Sequence, residues 1–324
     1  MESKKNTMDF LKELNKKYGE NTMIRVGDQE RPKVRMKKTG ITSFDLALGG
    51  GFGEGRIIEL FGMESSGKTT LSLLAIAEEQ KLGHQCAFID VEQALDFEYA
   101  AFLGVNVDDL IVTQPDCAED ALEILDRTIE SGLFSIIVLD SVAALAPKAE
   151  LEGEVGDQKM AVVARLMSQT LRKITGKTNK THTTVIFINQ MRAMIGGYVP
   201  MNVTTGGNAL KFACSQRVEV TKGTQIKVGD DPVGYLMKIK VVKNKLFPPF
   251  KKAEVDNVFG IGIDRLKDTL SLAVSKDIIQ RSGSWYAYGD TKLGQGIDKV
   301  KDLVADNPEL LEEITEKLMK LISK

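Results

Sequence analysis

The sequence predicts an α/β protein centred on a mostly parallel sheet flanked by helices, with a helix–strand arm before it and a small α/β domain after it. Three observations carry this. Short β-branched runs recur at RIIELF (56–61), CAFID (86–90), LIVTQ (110–114), SIIVLD (135–140) and TTVIFIN (183–189). Helical patterns separate them at 68–82, 92–103, 118–131 and 160–175. The runs are apolar throughout rather than alternating, as strands covered on both faces must be.

Ahead of this region, residues 7–18 place Phe10, Leu11, Leu14 and Tyr18 on one face of an amphipathic helix with lysines between them. A strand-like TMIRV (22–26) and a polar stretch follow. An apolar stripe outside the main core must dock on something, and the sequence leaves its own domain and a neighbouring subunit equally open. Beyond the parallel region, RVEVT (217–221) and YLMKIKVVKN (235–244) follow each other almost without a helix, so the sheet should end in antiparallel strands. The Gly-rich FGIGID (259–264) then leads into a tail with helices near 265–276, 297–305 and 309–323. The expected domains are an arm over 1–32, a core over 33–264 and a C-terminal domain over 265–324.

Composition excludes several classes. With 324 residues, 43% hydrophobic and 27% charged, the chain is an ordinary globular one, able to bury a sizeable core. No apolar run approaches the ~20 residues of a membrane helix, and the N-terminus lacks the apolar stretch of a signal peptide, so a cytoplasmic location is expected. Three cysteines far apart and two histidines argue against a disulfide framework or a multi-histidine metal centre. A net charge of −2 means that any nucleic-acid surface must be a local one.

The strongest motif is Gly62-Met63-Glu64-Ser65-Ser66-Gly67-Lys68-Thr69, a full G-x-x-x-x-G-K-[ST] directly after a strand and opening a helix. Its glycines let backbone N–H groups turn inward around phosphates, and the helix N-terminus adds positive potential. Lys68 would reach the β- and γ-phosphates and the Thr69 hydroxyl would ligand Mg²⁺. Asp140 closes the buried strand SIIVLD; alone it would read as a helix cap, but beside a phosphate loop a metal-positioning role wins. Glu92, just past CAFID, could orient or deprotonate a water or simply charge a helix N-terminus, and Gln190 could sense a γ-phosphate or cap a strand. Spacing leaves both pairs open. Two long loops, ELEGEVGDQK (150–159) and MRAMIGGYVPMNVTTGG (191–207), leave the same strand edge near Arg165, Arg172 and Lys173. A solvated face is the usual reading of such cations; a polyanion surface is the other.

Taken together, ESSGKTTL (64–71), FIDVEQALD (88–96), VLDSVAALAPKAELEGEVGD (138–157), ARLMSQTLRK (164–173), VIFINQMR (185–192), TTGGNALKF (204–212) and VVKNK (241–245) resemble the bacterial RecA recombinases over nearly the whole chain. The resemblance implies a RecA-like phosphate-loop ATPase core and a DNA-dependent ATPase that forms helical homo-oligomeric filaments on single-stranded DNA. It implies pairing with homologous double-stranded DNA, strand exchange, DNA repair and an SOS response. ATP and Mg²⁺ are the implied cofactors, and single-strand-binding and loader proteins the candidate partners.

Carried over by motif, the nucleotide-binding residues are Glu64, Ser65, Ser66, Gly67, Lys68, Thr69, Thr70, Asp96, Tyr99 and Asp140, with Thr69 and Asp140 on the metal. Glu92 would activate water and Gln190 sense the γ-phosphate. Lys243 and Lys245 would reach ATP in the adjacent subunit, and Phe212 would relay nucleotide state across the interface. Arg165, Arg172, Arg192, Gly206, Gly207 and Asn208 match DNA-contacting positions, and Ile195 an apolar wedge between bases. The arm matches the element that docks on the next subunit.

Departures accompany the match. Met63 stands where a proline is usual, Gln93 replaces a histidine, Phe259 replaces a tyrosine, and Met194 stands where a lysine is common. The second loop is one residue shorter than the family pattern. The chain stops at KLMKLISK without an acidic run, which implies easier loading on duplex DNA than in tailed relatives. Such divergence would suit a phage-borne or accessory homologue. The rival readings are a ring-forming motor on the same core, a nucleotide-gated DNA-binding filament without strand exchange, and a small-molecule kinase. The paired DNA loops speak against the first, retention of Glu92 and both interface lysines against the second, and the lack of an acceptor pocket against the third.

Overall fold

The structure, a computed structural model, describes residues 2–19, 22–23, 34–153, 160–193 and 202–323. It divides into two compact units, Met1–Arg35 and Met36–Lys324. In the first, helix α1 (Glu2–Tyr18) begins earlier than its apolar stripe suggests. It ends at Gly19, whose φ of +109° only glycine adopts freely. The Asn15 side chain then clasps Met23, donating to its carbonyl at 3.0 Å and accepting from its N–H at 2.8 Å. Phe10 and Tyr18 are exposed. Residues 24–26 of the expected strand TMIRV lie outside the described residues.

The second unit opens with β1 (Met36–Lys37) and α2 (Thr42–Leu48), and β1 pairs with β2 (Phe52–Gly53). The alternating region follows: β3 (Ile57–Gly62), α3 (Lys68–Lys81), β4 (Gln85–Asp90), α4 (Phe97–Phe102), β5 (Ile111–Thr113), α5 (Ala118–Ser131), β6 (Phe134–Asp140), α6 (Lys148–Leu151), α7 (Met160–Thr181) and β7 (Thr184–Ala193). After these come β8 (Asn202–Thr204), α8 (Ala209–Ala213) and three long antiparallel strands, β9 (Gln216–Val228), β10 (Asp231–Asn244) and β11 (Lys252–Val258), then β12 (Gly262–Ile263). Among the described residues the sheet has ten strands in the order β12-β11-β10-β9-β3-β7-β6-β4-β5, with β8 pairing with β7. The strands from β9 to β5 run parallel, and β9 to β12 antiparallel.

Strand periodicity sorts the core onto two faces. Ile58, Leu60, Phe88, Ile136, Val138, Ile186 and Ile188 pack with Leu71 and Leu74 of α3 on one side. Their neighbours Ile57, Ile89, Ile137, Leu139, Val185 and Phe187 pack with Leu122, Leu125, Met167 and Leu171 of α5 and α7 on the other. This is why the runs read as continuously apolar.

The chain closes with α9 (Arg265–Ser275), a three-stranded antiparallel sheet of β13 (Gln280–Ser282), β14 (Trp285–Tyr288) and β15 (Thr291–Gln295), then α10 (Ile297–Ala305) and α11 (Pro308–Met319). These elements share a core of Leu270, Ile279, Tyr286, Leu293, Val300, Val304 and Ile314. They join the helices α2 and α3 and the end of α4 through Asp268, which accepts from the Ser43 N–H at 2.9 Å, and Arg265, which donates to Glu78 at 2.9 Å and the Leu103 carbonyl at 2.6 Å.

Several boundaries differ from expectation. The helix expected over 92–103 starts only at Phe97, because Asp96 caps it by accepting from the Tyr99 N–H at 2.9 Å. Helix α7 runs on to Thr181 instead of stopping at 175. The loop expected over 191–207 carries the end of β7 and all of β8. The first two residues of the other expected loop, 150–151, belong to α6, and 154–159 lie outside the described residues.

Candidate nucleotide and strand-edge site

Parallel strands deliver their C-terminal ends to one edge, which is where open α/β sheets place ligands. Here β3 ends at Gly62, β4 at Asp90 and β6 at Asp140, with the loop 63–67 crossing to the first residue of α3. Gly67, at φ +93°, is pressed against the antiparallel extension of the sheet; a Cβ there would lie 2.1 Å from the Met237 Cε. Ser65 also takes a left-handed φ, of +54°. Left-handed residues turn successive N–H groups to one side, the geometry of an anion cradle.

Lys68 folds back into this loop, its Nζ donating to the Met63 carbonyl at 2.7 Å and more weakly to Gly62 at 3.4 Å. Burial lowers its pKa, opposed by the charges of Asp140, Glu92 and Glu64. Thr69 donates its hydroxyl proton to Asp140 Oδ2 at 2.7 Å. Burial pushes the Asp140 carboxyl up to about 7, against the pull of that hydroxyl; the nearby Glu92 adds to the rise and Lys68 opposes it. The Ser66 hydroxyl is buried and has no partner among the described residues, a donor left over for a ligand. An inward-turned loop, a buried cation, an unpaired hydroxyl and a hydroxyl–carboxylate pair fit a nucleoside phosphate with a hard divalent cation such as Mg²⁺.

Glu92 lies beside this pair. Its Oε1 accepts from the Ser141 hydroxyl and from Gln190 Nε2, the latter at 2.9 Å. Gln190 does not end its strand, since β7 continues to Ala193; it is the last residue of β7 paired with β3, opposite Gly62. The preceding Asn189 is fully buried and works both ways along the sheet. Its Oδ1 accepts from the Gln190 N–H at 2.9 Å and the Thr205 hydroxyl at 2.6 Å, while its Nδ2 donates to Glu59 at 2.9 Å and the Thr205 carbonyl at 3.1 Å. Glu59 is ion-paired with Arg217, whose guanidinium lies 4.6 Å over the Phe61 ring. One polar chain thus runs from Glu92 to Thr205, the residue before Gly206.

Gly206 and Gly207 turn with φ of +77° and +78°, closing on Val142 and on Ala164 of α7. That seats the turn beside exposed Arg165, and Arg172 is exposed further along the same helix. Asn208 is exposed at the start of α8, and Phe212 at its end is 76% exposed. Lys243 donates to the Lys211 carbonyl at 2.6 Å and the Phe212 carbonyl at 3.2 Å; burial, then the charge of Lys245, lowers its pKa. None of these partners is shared with Lys68, and Lys245 is exposed. Arg192 falls within β7, and Ile195 lies outside the described residues.

On the other side of the loop, Tyr99 of α4 meets the Thr70 hydroxyl at 3.1 Å, which brings Tyr99 to the cleft, while Asp96 is placed next to it only as the cap of the same helix. The cleft is also lined by Lys222, Tyr235, Asn257 and Phe259. Sequence reasoning singled out Phe259 but not the other three. They sit on β9, β10 and β11, where alternation marks a strand but says nothing of which strand end abuts the loop.

The fold and this strand edge define a phosphate-loop nucleotide-binding protein with an ATPase-type constellation. Family comparison narrows the class: the RecA N-terminal domain matches residues 5–264 and the RecA C-terminal domain residues 267–323. Protein RecA of Campylobacter jejuni is 52% identical over 318 residues, covering 97% of this chain and 93% of that protein. Protein RecA of Porphyromonas gingivalis is 53% identical over 311 residues, covering 95% and 92%. The solved RadB recombinase superposes with a TM-score of 0.53 at 23% identity, over 70% of this chain and 98% of that one, a likeness of fold alone. The chain belongs to the RecA family. Among the described residues, no helix is long and apolar enough to cross a membrane.

Proposed function

We propose that this protein is an ATP-dependent homologous recombinase that forms helical filaments on single-stranded DNA and exchanges strands with homologous duplex. The observation that carries the reading is the polar chain Glu92–Gln190–Asn189–Thr205. It joins the hydrolytic edge to the turn that sits on the arginine-bearing helix, as a switch between nucleotide and DNA requires.

In this reading the inward loop amides, Ser66 and Lys68 hold the phosphates, and Thr69 with Asp140 would hold Mg²⁺, which when bound neutralises phosphate charge. Glu92, already fixed by Ser141 and Gln190, orients the attacking water and accepts its proton. A γ-phosphate competing for the Gln190 amide would loosen its hold on Glu92 and pull on Asn189 and the 204–208 turn. Asp96, Tyr99 and Phe259 form the base side of the cleft. Lys243, whose carbonyl partners differ from those of Lys68, serves the neighbouring subunit together with Lys245 and Phe212. Arg165, Arg172, Arg192, Ile195, Gly206, Gly207 and Asn208 form the DNA surface. Buried free thiols at Cys86, Cys117 and Cys214 suit a reducing, DNA-containing compartment, the cytoplasm.

The test is joint-molecule formation between single-stranded DNA and homologous or heterologous duplex, with and without ATP. Exchange that needs both homology and ATP is expected. ATP-dependent coating of single strands without exchange would overturn the recombinase reading.

A further inference from the structure

The wall opposite the phosphate loop contains a short strut. Tyr235 on β10 and Asn257 on β11 are directly opposed in the antiparallel ladder. Both are buried, with 6% and 7% of their surface exposed. Asn257 Nδ2 donates to the Tyr235 hydroxyl at 2.8 Å, and that hydroxyl donates to the Ser65 carbonyl at 3.2 Å. An amide nitrogen can only donate, so the phenolic proton is directed to Ser65. Burial also raises the phenol's pKa, which keeps that proton in place. Ser65 is the non-glycine loop residue at φ +54°, a region L-residues rarely occupy. Two residues on, Gly67 is packed so tightly on the same strand that an added Cβ would lie 3.2 Å from the Tyr235 hydroxyl.

We propose that Tyr235 is a positioning residue for the phosphate loop. By holding the Ser65 carbonyl outward it fixes the left-handed turn, and the following amides face the cleft before nucleotide arrives. The antiparallel extension of the sheet thereby tunes nucleotide affinity through a residue that acts on the loop and not on the reacting atoms. Preorganisation of this kind lowers the ordering cost of binding. The inference rests on the nucleotide-site reading above, and one experiment separates the two.

The full-length protein, Tyr235→Phe, Asn257→Ala and the double variant are compared for ADP binding by calorimetry and for KM and kcat of DNA-stimulated ATP hydrolysis. Tyr235→Phe keeps the ring against Phe259, 6.1 Å away between centroids, so the fold should persist, as thermal unfolding will register. The expected result is an ADP Kd and ATP KM raised about 3- to 10-fold with kcat nearly unchanged, the range one hydrogen bond spans. Asn257→Ala should weaken binding when Tyr235 is present and add nothing to Tyr235→Phe, because the two act as one strut. Unchanged Kd and KM in Tyr235→Phe, a loss in kcat alone, or additive effects in the double variant would each overturn the inference. If wild type itself binds no ADP, the nucleotide-site reading falls first.

Discussion

Asp140 and Asp45 are both buried carboxylates, 7% and 4% exposed, and burial pushes each up to about 7. Their surroundings differ. Asp140 stands at the end of β6, its oxygen on the Thr69 hydroxyl and Lys68 and Glu92 within its field. Asp45 lies inside α2, where Oδ1 accepts from the Thr39 N–H at 2.8 Å and its own carbonyl accepts from Gly50 at 2.7 Å. It ties together the turns at both ends of one short helix. A displaced pKa therefore records burial; the company of a cation, a hydroxyl and an open strand edge is what marks chemistry.

The largest effect should follow from stripping Asp140 of its company. Lys68→Ala removes the buried cation beside it, and ATP-dependent filaments seen by electron microscopy should disappear, with turnover down at least ~10²-fold. The variant's thermal stability at neutral pH should stay near wild type. Normal filaments would detach the loop from assembly.

Glu92→Gln is the next step. An amide at this position can still bond Ser141 and Gln190 but accepts no proton from water, so turnover should fall ~10²- to 10⁴-fold while nucleotide binding and assembly persist. Long-lived filaments in a DNA-binding assay are expected; wild-type phosphate release would place water activation elsewhere.

Lys243 sharpens the contrast from the lysine side, since burial lowers its pKa as it does that of Lys68. Its carbonyl partners belong to α8, so Lys243→Ala should leave ADP binding by the unassembled subunit unchanged and reduce filament turnover by ~10²-fold or more, as loss of an inserted cation does. A matching loss of ADP affinity in the free subunit would mean the two lysines serve one site.

The α/β class, the phosphate loop and the strand-edge acid were legible because each is local: a strand, then glycines, then Lys68 and Thr69; a run of apolar residues, then Asp140. The start of α4 was misread because apolar spacing over 92–103 hides the cap at Asp96. The α/β character of the C-terminal domain was expected, but its strands β13 to β15 were not placed, since each is three to five residues long, too short for alternation to register. Glu59, Asn189 and Arg217 gave no signal at all: their pairing depends on β3 lying between β7 and β9, a fact of topology and not of spacing. The same holds for Tyr235 against Ser65.

The smallest effect on activity, and the sharpest test of the opening contrast, is Asp45→Asn. Asp45 titrates near 3.8 when exposed and about 7 when folded, so between these values the folded chain holds a proton that the unfolded chain has released. Stability from this group is thus fully present below pH 3.8 and declines as pH rises toward 7, by at most about 1.4 kcal/mol per pH unit, then levels off. Lys38 and the Thr39 hydrogen bonds oppose the rise and Glu78 adds to it, and the value of about 7 that closes the window is their net with burial. An asparagine can still accept the Thr39 N–H through its carbonyl but does not titrate. Subtracting the variant's stability–pH curve from that of wild type cancels the other carboxylates and leaves the Asp45 contribution. That difference should fall from pH 4 to 7, while ATP turnover and filament formation stay within about twofold of wild type, since Asp45 bonds to Thr39 and Gly50 and not to the residues of the nucleotide edge. A flat difference curve would mean that Asp45 is ionised in the fold and held by Lys38. A loss of turnover would make its company as consequential as that of Asp140.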